Sequence, residues 1–230
     1  MTKLSIIIPV LNEANTIAQL LQYVIDHSSP QNIADIIVVD GGSNDNSKEI
    51  IATFDHVILI NSEKGRAKQM NTGAKNTTGT ILYFLHADSF PPKHFDELII
   101  SEVMKGNEAG CFRMQFDTNH WWLKLAGWLT RFNWRICRGG DQSQFITKTL
   151  FETIGGFDES YVVYEDNILI NELYKRKLFV VIQQPITTSS RLYEKHGIWK
   201  VQFHFLMIYI KKIFGASAED LHRYYSKHLA

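Results

Sequence analysis

Ile81-Leu82-Tyr83-Phe84-Leu85-His86-Ala87-Asp88-Ser89-Phe90-Pro91-Pro92 is the stretch from which the fold can be read. Its first five residues form an almost uninterrupted apolar run closed by polar ones, the pattern of a strand buried on both faces. Two prolines follow, and proline suits the first turn of a helix, so a helix is expected from about Pro91. Asp88 therefore stands where a buried strand stops and a helix is due to begin. In open α/β sheets, ligands bind beyond the carboxyl ends of the strands. A carboxylate there can share a divalent cation with substrate phosphates. Capping the coming helix is the simpler use of the same aspartate. This stretch alone leaves both readings open.

Outward from it, the same punctuation recurs. Leu4 to Val10 is an apolar strand, and Leu11-Asn12-Glu13-Ala14-Asn15 turns the chain. Ile17, Leu20, Leu21, Val24 and Ile25 then recur at helical spacing. Ile36 to Val39 is a second buried strand, ending in Asp40-Gly41-Gly42-Ser43-Asn44-Asp45, a loop by composition with a helix after it to about Phe54. Val57 to Ile60 is a third strand. Strand and helix in alternation predict an α/β fold, a mostly parallel central sheet flanked by helices and joined by right-handed crossovers. Residues 64–76 carry four cations and no acid. They read as a solvated helix face or as a phosphate contact, with Arg66 the better bidentate donor.

Past a helix near residues 93–105 the composition changes. Gly110–Phe116 reads as a strand. Residues 120–138 then hold four of the five tryptophans beside Lys124, Arg131, Arg135 and Arg138. Such a stretch either lies on a membrane or amphipathic acceptor or, as tryptophans at this spacing more often do, belongs to the core. Gly139-Gly140-Asp141-Gln142 leads into a strand at 143–147. Gly155-Gly156-Phe157-Asp158 is a turn, and Tyr164-Glu165-Asp166-Asn167 precedes a helix. Leu178–Ile182 is a further strand. Ile198–Phe214 is an apolar helix expected to pack on the domain or on a partner subunit, and a last helix spans about Ala218–His228.

The 230 residues show no break in composition, are 45% hydrophobic and carry 24 basic and 24 acidic side chains. This is one globular domain with a full core and no global field for nucleic acid. Cys111 and Cys137 lack metal-ligand spacing, so free thiols in a reducing, cytoplasmic setting are expected. The first residues run straight into a strand, without a leader's pattern. No stretch reaches about 18 uncharged apolar residues.

Read together, the motifs resemble a known family. Pro9-Val10-Leu11-Asn12-Glu13, Asp40-Gly41-Gly42-Ser43, His86-Ala87-Asp88, Gly155-Gly156-Phe157 and Glu165-Asp166 follow the order and spacing of family 2 glycosyltransferases of GT-A fold. The resemblance covers nearly the whole chain. Gly65-Arg66-Ala67-Lys68-Gln69-Met70-Asn71, Leu85-His86-Ala87-Asp88-Ser89 and Gly140-Asp141-Gln142 look like a bacterial subgroup associated with radical-SAM or selenium-domain gene neighbourhoods. The resemblance implies that Pro9, Leu11, Glu13, Asp40, Arg66, Gln69, His86 and Arg191 serve the nucleotide-sugar. Glu13 and Asp40 would meet the nucleoside, and Arg66 the diphosphate. Asp88 matches the last aspartate of the D-x-D signature and would ligate Mg²⁺ or Mn²⁺. Asp166 matches the catalytic base, with Asp141, Gln142 and Glu165 on the acceptor side.

The chemistry gives each type its task. A sugar leaving a nucleoside diphosphate uncovers negative charge, which a divalent cation and an arginine stabilise. The acceptor hydroxyl needs a carboxylate to take its proton. With that base opposite the leaving group the anomeric centre inverts, and no second protein acid of the hydrolase kind is needed. The chain departs from the pattern at His86, where the family has its first signature aspartate. It also lacks the Q-x-x-R-W motif of processive members, so non-processive transfer is expected. Arg191 lies near that motif's place, and His196 is a candidate further ligand.

The implied partners are a nucleotide-diphospho-sugar and an acceptor that is unidentified, with a lipid-linked or membrane-proximal one left open. A homo-oligomer and a peripheral place on the inner membrane face are also open. One domain over 1–230 is expected, with 1–92 as nucleotide-binding half, 93–196 as acceptor-side half and 197–230 as C-terminal helices. The rivals are a Rossmann-type enzyme, a nucleotidyltransferase and a catalytically silent nucleotide-sugar binder. The first two require a glycine-rich loop after the first strand, where this chain has Pro-Val-Leu-Asn-Glu.

Overall fold

A computed structural model describes residues 2–229. The first unit is built from β1 (Leu4–Val10), α1 (Ile17–Asp26), β2 (Ile33–Asp40), α2 (Ser47–Ile51), β3 (Val57–Asn61), α3 (Arg66–Lys75) and β4 (Ile81–Phe84). These strands pair in parallel, β2 between β3 and β1, and β1 against β4. Their register puts Val10 beside Asp40, so the first two strands end on one line. The β1 residues alternate between two cores. Leu4, Ile6 and Ile8 meet Leu20, Val24, Phe95 and Ile99 on one side. Ile7 meets Met70 and Ala74 of α3 on the other. That two-sided burial is why these strands read as unbroken apolar runs.

The second unit comprises β5 (Ser89–Phe90), α4 (Phe95–Met104), β6 (Ala109–Phe116), α5 (Trp121–Leu129), β7 (Gln144–Thr147), α6 (Lys148–Ile154), α7 (Glu165–Lys175) and β8 (Phe179–Thr188). It ends with α8 (Arg191–His196), α9 (Ile198–Ile213) and α10 (Ala218–His228). The sheet runs β3-β2-β1-β4-β7-β6-β8-β5. β7 is antiparallel to both β4 and β6, while β6 and β8 are parallel. The expected α/β architecture is found.

Three local expectations are corrected. No helix begins at Pro91. The chain first makes β5, which pairs with Thr187 and Thr188 of β8, and α4 starts only after His94, whose φ is 57°. Asp88 thus precedes a strand and caps no helix. Second, β8 continues past Ile182 to Thr188, with a register shift opposite Phe112/Arg113. Third, the tryptophan-rich stretch is core only in part: Leu123 is buried and Trp122 packs against its cluster. α5 stops at Leu129, and a turn follows in which the buried Arg138 guanidinium donates to the carbonyls of Thr130 (2.5 Å), Phe132 (2.7 Å) and Trp134 (3.4 Å). That wrap leaves Trp121, Trp128 and Trp134 facing outward. Cys111 and Cys137 are both free.

Candidate functional site

The loops after β1 and β2 are held together before any ligand is considered. Asp40, fully buried, folds its own loop: its carboxylate accepts from the backbone of Gly42 (2.9 Å) and Ser43 (3.0 and 3.2 Å). Ser43 Oγ then accepts from Asn12 N (2.9 Å), Ser47 Oγ from Glu13 N (2.9 Å), and Asn12 Oδ1 from Asn44 N (2.9 Å). Asn12 holds a left-handed φ of 57°, which asparagine tolerates better than most residues. Pro9 sits in β1 opposite Val39, and Leu11 is half-buried in the bend that follows. Ser43, Asp45 and Ser47 were not singled out from sequence. The dense polar composition of 40–47 was the available signal.

Gln69 takes a different place from the one expected. Its buried amide donates to Val10 O (2.8 Å) and Val39 O (2.7 Å), tying α3 to the ends of β1 and β2. Its side chain covers Gly41, where a Cβ would come within 2.9 Å of it. The amide hydrogens are engaged by the scaffold, so Gln69 braces the ends of β1 and β2 from beneath. Asn71 acts similarly. It donates to Phe157 O (2.9 Å) and Glu159 (2.8 Å) and accepts from Phe157 N (3.0 Å), which gives the Gly155-Gly156-Phe157 turn its purpose.

Arg191, at the start of α8, joins two sequence-distant acids. It donates to both carboxylate oxygens of Glu13 (3.1 and 2.9 Å) and lies 3.5 Å from Asp88. The Asp88 carboxyl is raised in pKa by loss of hydration and by repulsion from Asp141, with Arg191 opposing. His86 is buried, and its pKa is lowered to about 3 by burial and by the Arg66 charge, so the imidazole is neutral.

The second cluster forms at the amino end of α7. Arg66 Nη1, at the head of α3, lies 3.2 Å from Glu165 and 3.6 Å from Asp166. Both acids are buried and belong to the first turn of α7, after Tyr164 with its positive φ of 80°. Burial, then the charge of Glu165, pushes Asp166 up to about 7, against the pull of Arg66. Glu165 is also raised, by burial first. Gly140 packs directly on this pair: a Cβ there would overlap the Asp166 carboxylate and approach His86 Cε1 to 3.2 Å. The end of β4, the turn at 140 and the head of α7 therefore converge. Asp141 faces the cleft from a position open to solvent yet surrounded by protein. Loss of hydration raises its pKa, Arg66 opposes this and Asp166 adds to it. Gln142 turns the other way. It is buried, with Cys111 Sγ 3.5 Å from its Oε1, and its Nε2 has no hydrogen-bond partner among the described residues.

Among the described residues no three His, Cys, Asp or Glu side chains are gathered as a metal cluster. His196 in particular is set apart on α8: burial first, then Lys195 and Lys200, holds its proton affinity down, and a bound cation would meet like charge. The acids that remain fit another mode, in which one or two carboxylates share Mg²⁺ with substrate phosphates. Asp88 and Asp141 repel one another, and of the cations near Asp88 Arg191 opposes that charge most, ahead of Arg66. Cavities of about 480 and 510 Å³ lie elsewhere, along α5 and beside α7, and contain none of these residues.

The model of the family described as Glycosyl transferase family 2 matches residues 5–179. The chain belongs to that family. This family 2 glycosyltransferase is 33% identical over 105 residues to "Glycosyltransferase AglE" of Haloferax volcanii, covering 43% of this chain and 34% of the relative. It is 28% identical over 133 residues to "Undecaprenyl-phosphate 4-deoxy-4-formamido-L-arabinose transferase" of Sodalis glossinidius, covering 54% and 40%. The chain spans about a third to a half of the length of the curated relatives it matches. Its fold resembles that of S. aureus TarS 1–349, solved in complex with UDP-GlcNAc, with TM-score 0.68, 17% identity and coverage of 82% and 59%. The glycosyltransferase thus has the GT-A type of α/β fold.

Proposed function

We propose that this glycosyltransferase moves a sugar from a nucleoside diphosphate to an acceptor hydroxyl with inversion, Asp166 taking the hydroxyl proton. The observation that carries the reading is the buried Asp166, raised toward neutrality, with Arg66 3.6 Å away. A base with pKa near the working pH combines availability with proton affinity. Arg66 is the group that changes partners. As the diphosphate arrives it is drawn from Glu165 and Asp166 toward the phosphate oxygens, where guanidinium geometry fits. Asp166 then loses a stabilising cation and becomes the stronger base. Gly140 keeps the carboxylate's approach open, and the neutral His86 adds no charge beside it.

On the donor side, Asp40 and Glu13 with the zipped loops form the nucleoside wall, and Gln69 holds that wall from behind. Residues 1–92 form the nucleotide-binding half, 93–196 the acceptor-side half and 197–230 the C-terminal helices of one domain. Asp88 would hold Mg²⁺ or Mn²⁺, with Asp141 nearby, sharing it with the donor phosphates. When bound, the ion would neutralise charge on the departing diphosphate. The cleft's surplus of acids over Arg66 and Arg191 is the reason a diphosphate needs such a partner. The undecaprenyl-phosphate named for one relative supports a lipid-linked acceptor, and the motif resemblance supports the radical-SAM or selenium-domain associated subgroup.

The test is a panel of UDP-, GDP-, CDP- and TDP-sugars, each with and without Mn²⁺, read as nucleoside diphosphate release and as thermal shift. Stabilisation by one nucleotide, with turnover that Asp166→Asn abolishes while binding survives, is the expected result. Normal turnover in Asp166→Asn removes Asp166 as base. Binding without any turnover would favour a silent nucleotide-sugar binder.

A further inference from the structure

The outward face of α5 and α9 is the least water-adapted surface of the molecule. Among the described residues, the large apolar side chains left exposed lie, Ile58, Met104 and Val162 aside, between Trp121 and Ile136 or between Trp199 and Phe214. On α9, Trp199, Phe203, Leu206 and Ile213 recur at helical spacing along the exposed side, while Val201 and Ile208 face the protein. The two helices are joined by aromatic contact, Trp199 lying 5.2 Å from Trp122 and 6.3 Å from Trp121. The aromatic surface continues through Trp128, Phe132 and Trp134, at ring separations of 5.2 and 4.7 Å. Soluble surfaces scatter such residues singly, and a contiguous apolar face marks an interaction site.

The charge on this face selects its occupant. Residues 118–140 and 195–218 contain no acid, in a chain with 24 of them. Of their cations, Arg135, Arg138 and Lys212 are bonded within the protein, and Lys124, Arg131, Lys195, Lys200 and Lys211 remain. A twofold dimer would lay this patch on a copy of itself. Cations would then meet cations, with no acid in either segment to answer them. A stripe-to-stripe helix pair would also cover α9 alone and leave Trp128 and Trp134 in water. Tryptophan interleaved with Lys and Arg is instead the composition that settles at a bilayer boundary, rings at headgroup depth and cations on anionic headgroups. We propose that the α5–α9 face docks flat on an anionic phospholipid surface. The face is wired to the cleft: Arg135, between Trp134 and Ile136, donates to the carbonyl and side chain of Asn167, which also accepts from Tyr209 of α9. Asn167 follows Asp166 in the chain. Docking therefore fixes the candidate base relative to the lipid plane.

The inference stands apart from turnover, so its test needs none. The full chain is sedimented with vesicles of phosphatidylcholine alone and of equal phosphatidylglycerol and phosphatidylcholine. The expected result is binding to the anionic vesicles, weakened by salt, with tryptophan emission quenched by brominated lipid. Lys200→Gln and Lys211→Gln should each lower binding about fivefold. The pair Phe203→Ser and Leu206→Ser should abolish it while circular dichroism stays unchanged. If that pair fails to fold, bromolipid quenching of the native chain decides. Absence of quenching, or equal binding to neutral vesicles at every salt concentration, overturns the proposal. A concentration-dependent dimer by sedimentation velocity that ignores vesicles overturns it in favour of a second copy.

Discussion

Asp40 and Asp166 are both buried aspartates at the edges of regular elements, and they live in opposite conditions. Asp40 is surrounded by N–H donors from its own loop, at Gly42 and Ser43. Asp166 has Arg66 at 3.6 Å, Glu165 beside it, and a pKa pushed up by burial. The first carboxylate is committed to shaping the donor-side loops. The second is held with its basicity unquenched. The difference teaches that burial alone does not mark chemistry. What separates the two acids is whether their lone pairs already have partners.

The strongest way to break this contrast is Asp166→Asn, which keeps shape and removes the base. Transfer should fall by about 10²–10⁴-fold with nucleotide affinity kept, measured by single-turnover kinetics and thermal shift. Gly140→Ala comes next. The new methyl would push the Asp166 carboxylate aside, and a displacement on the order of 1 Å can cost about 10²-fold in rate. The nucleotide-induced melting shift should stay as in the native chain.

A pH series sharpens the contrast further. Asp166 must be ionised to act, so kcat/KM, which reports the unliganded enzyme, should rise with pH through about 7. Arg66 lowers that pKa, so Arg66→Gln should move the limb to higher pH. Stability should run the other way. A carboxyl with a raised folded-state pKa favours the native state fully below its unfolded value. That advantage is lost as pH rises through the folded value near 7. Asp166→Asn should therefore raise the melting temperature at pH 8 relative to the native chain, and much less at pH 4. The smallest effect on chemistry belongs to Asp40→Ala. It strands the Gly42 and Ser43 N–H groups at a cost of about 1–3 kcal/mol. A drop of several degrees in melting temperature should accompany weaker nucleotide binding.

The first half was legible because its strands are buried on both faces and end abruptly in polar loops. Leu4–Val10 carries the same bounds in sequence and structure. Places where local chemistry misleads were harder. Gln183-Gln184-Pro185-Ile186-Thr187-Thr188 has the composition of a loop. It becomes strand because the register shift opposite Phe112/Arg113 accommodates the extra residues and β5 supplies a partner. Of the α5 tryptophans, Trp122 packs on the core while Trp121 and Trp128 lie outside, since a helix's periodicity does not say which of its sides is covered. Gln69 stood inside a recognisable motif, yet its amide nitrogen is spent on the carbonyls of Val10 and Val39. A motif locates a residue without saying whether its atoms are already bonded. The contacts of Asp166 were beyond composition and periodicity, because Arg66 and Gly140 reach it across 100 and 26 positions of chain, and only the family resemblance named Arg66, Asp141 and Glu165 beside it.

Gly73 has a consequence for the whole assembly. Beside Met70 and Ala74 it brings α3 close against the sheet, and a Cβ there would overlap Ile7 Cγ2. The same helix carries Arg66 at its head, Gln69 over the strand ends and Asn71 gripping the Phe157 turn. It behaves as a beam laid against β1 and β2, with no room to spare at Gly73. A methyl at Gly73 would act as a shim, tilting the beam and changing the gap between Arg66 and the α7 acids without altering either. The tolerance of the charge pair is thereby set at a hydrophobic contact on β1, seven residues down the beam from Arg66.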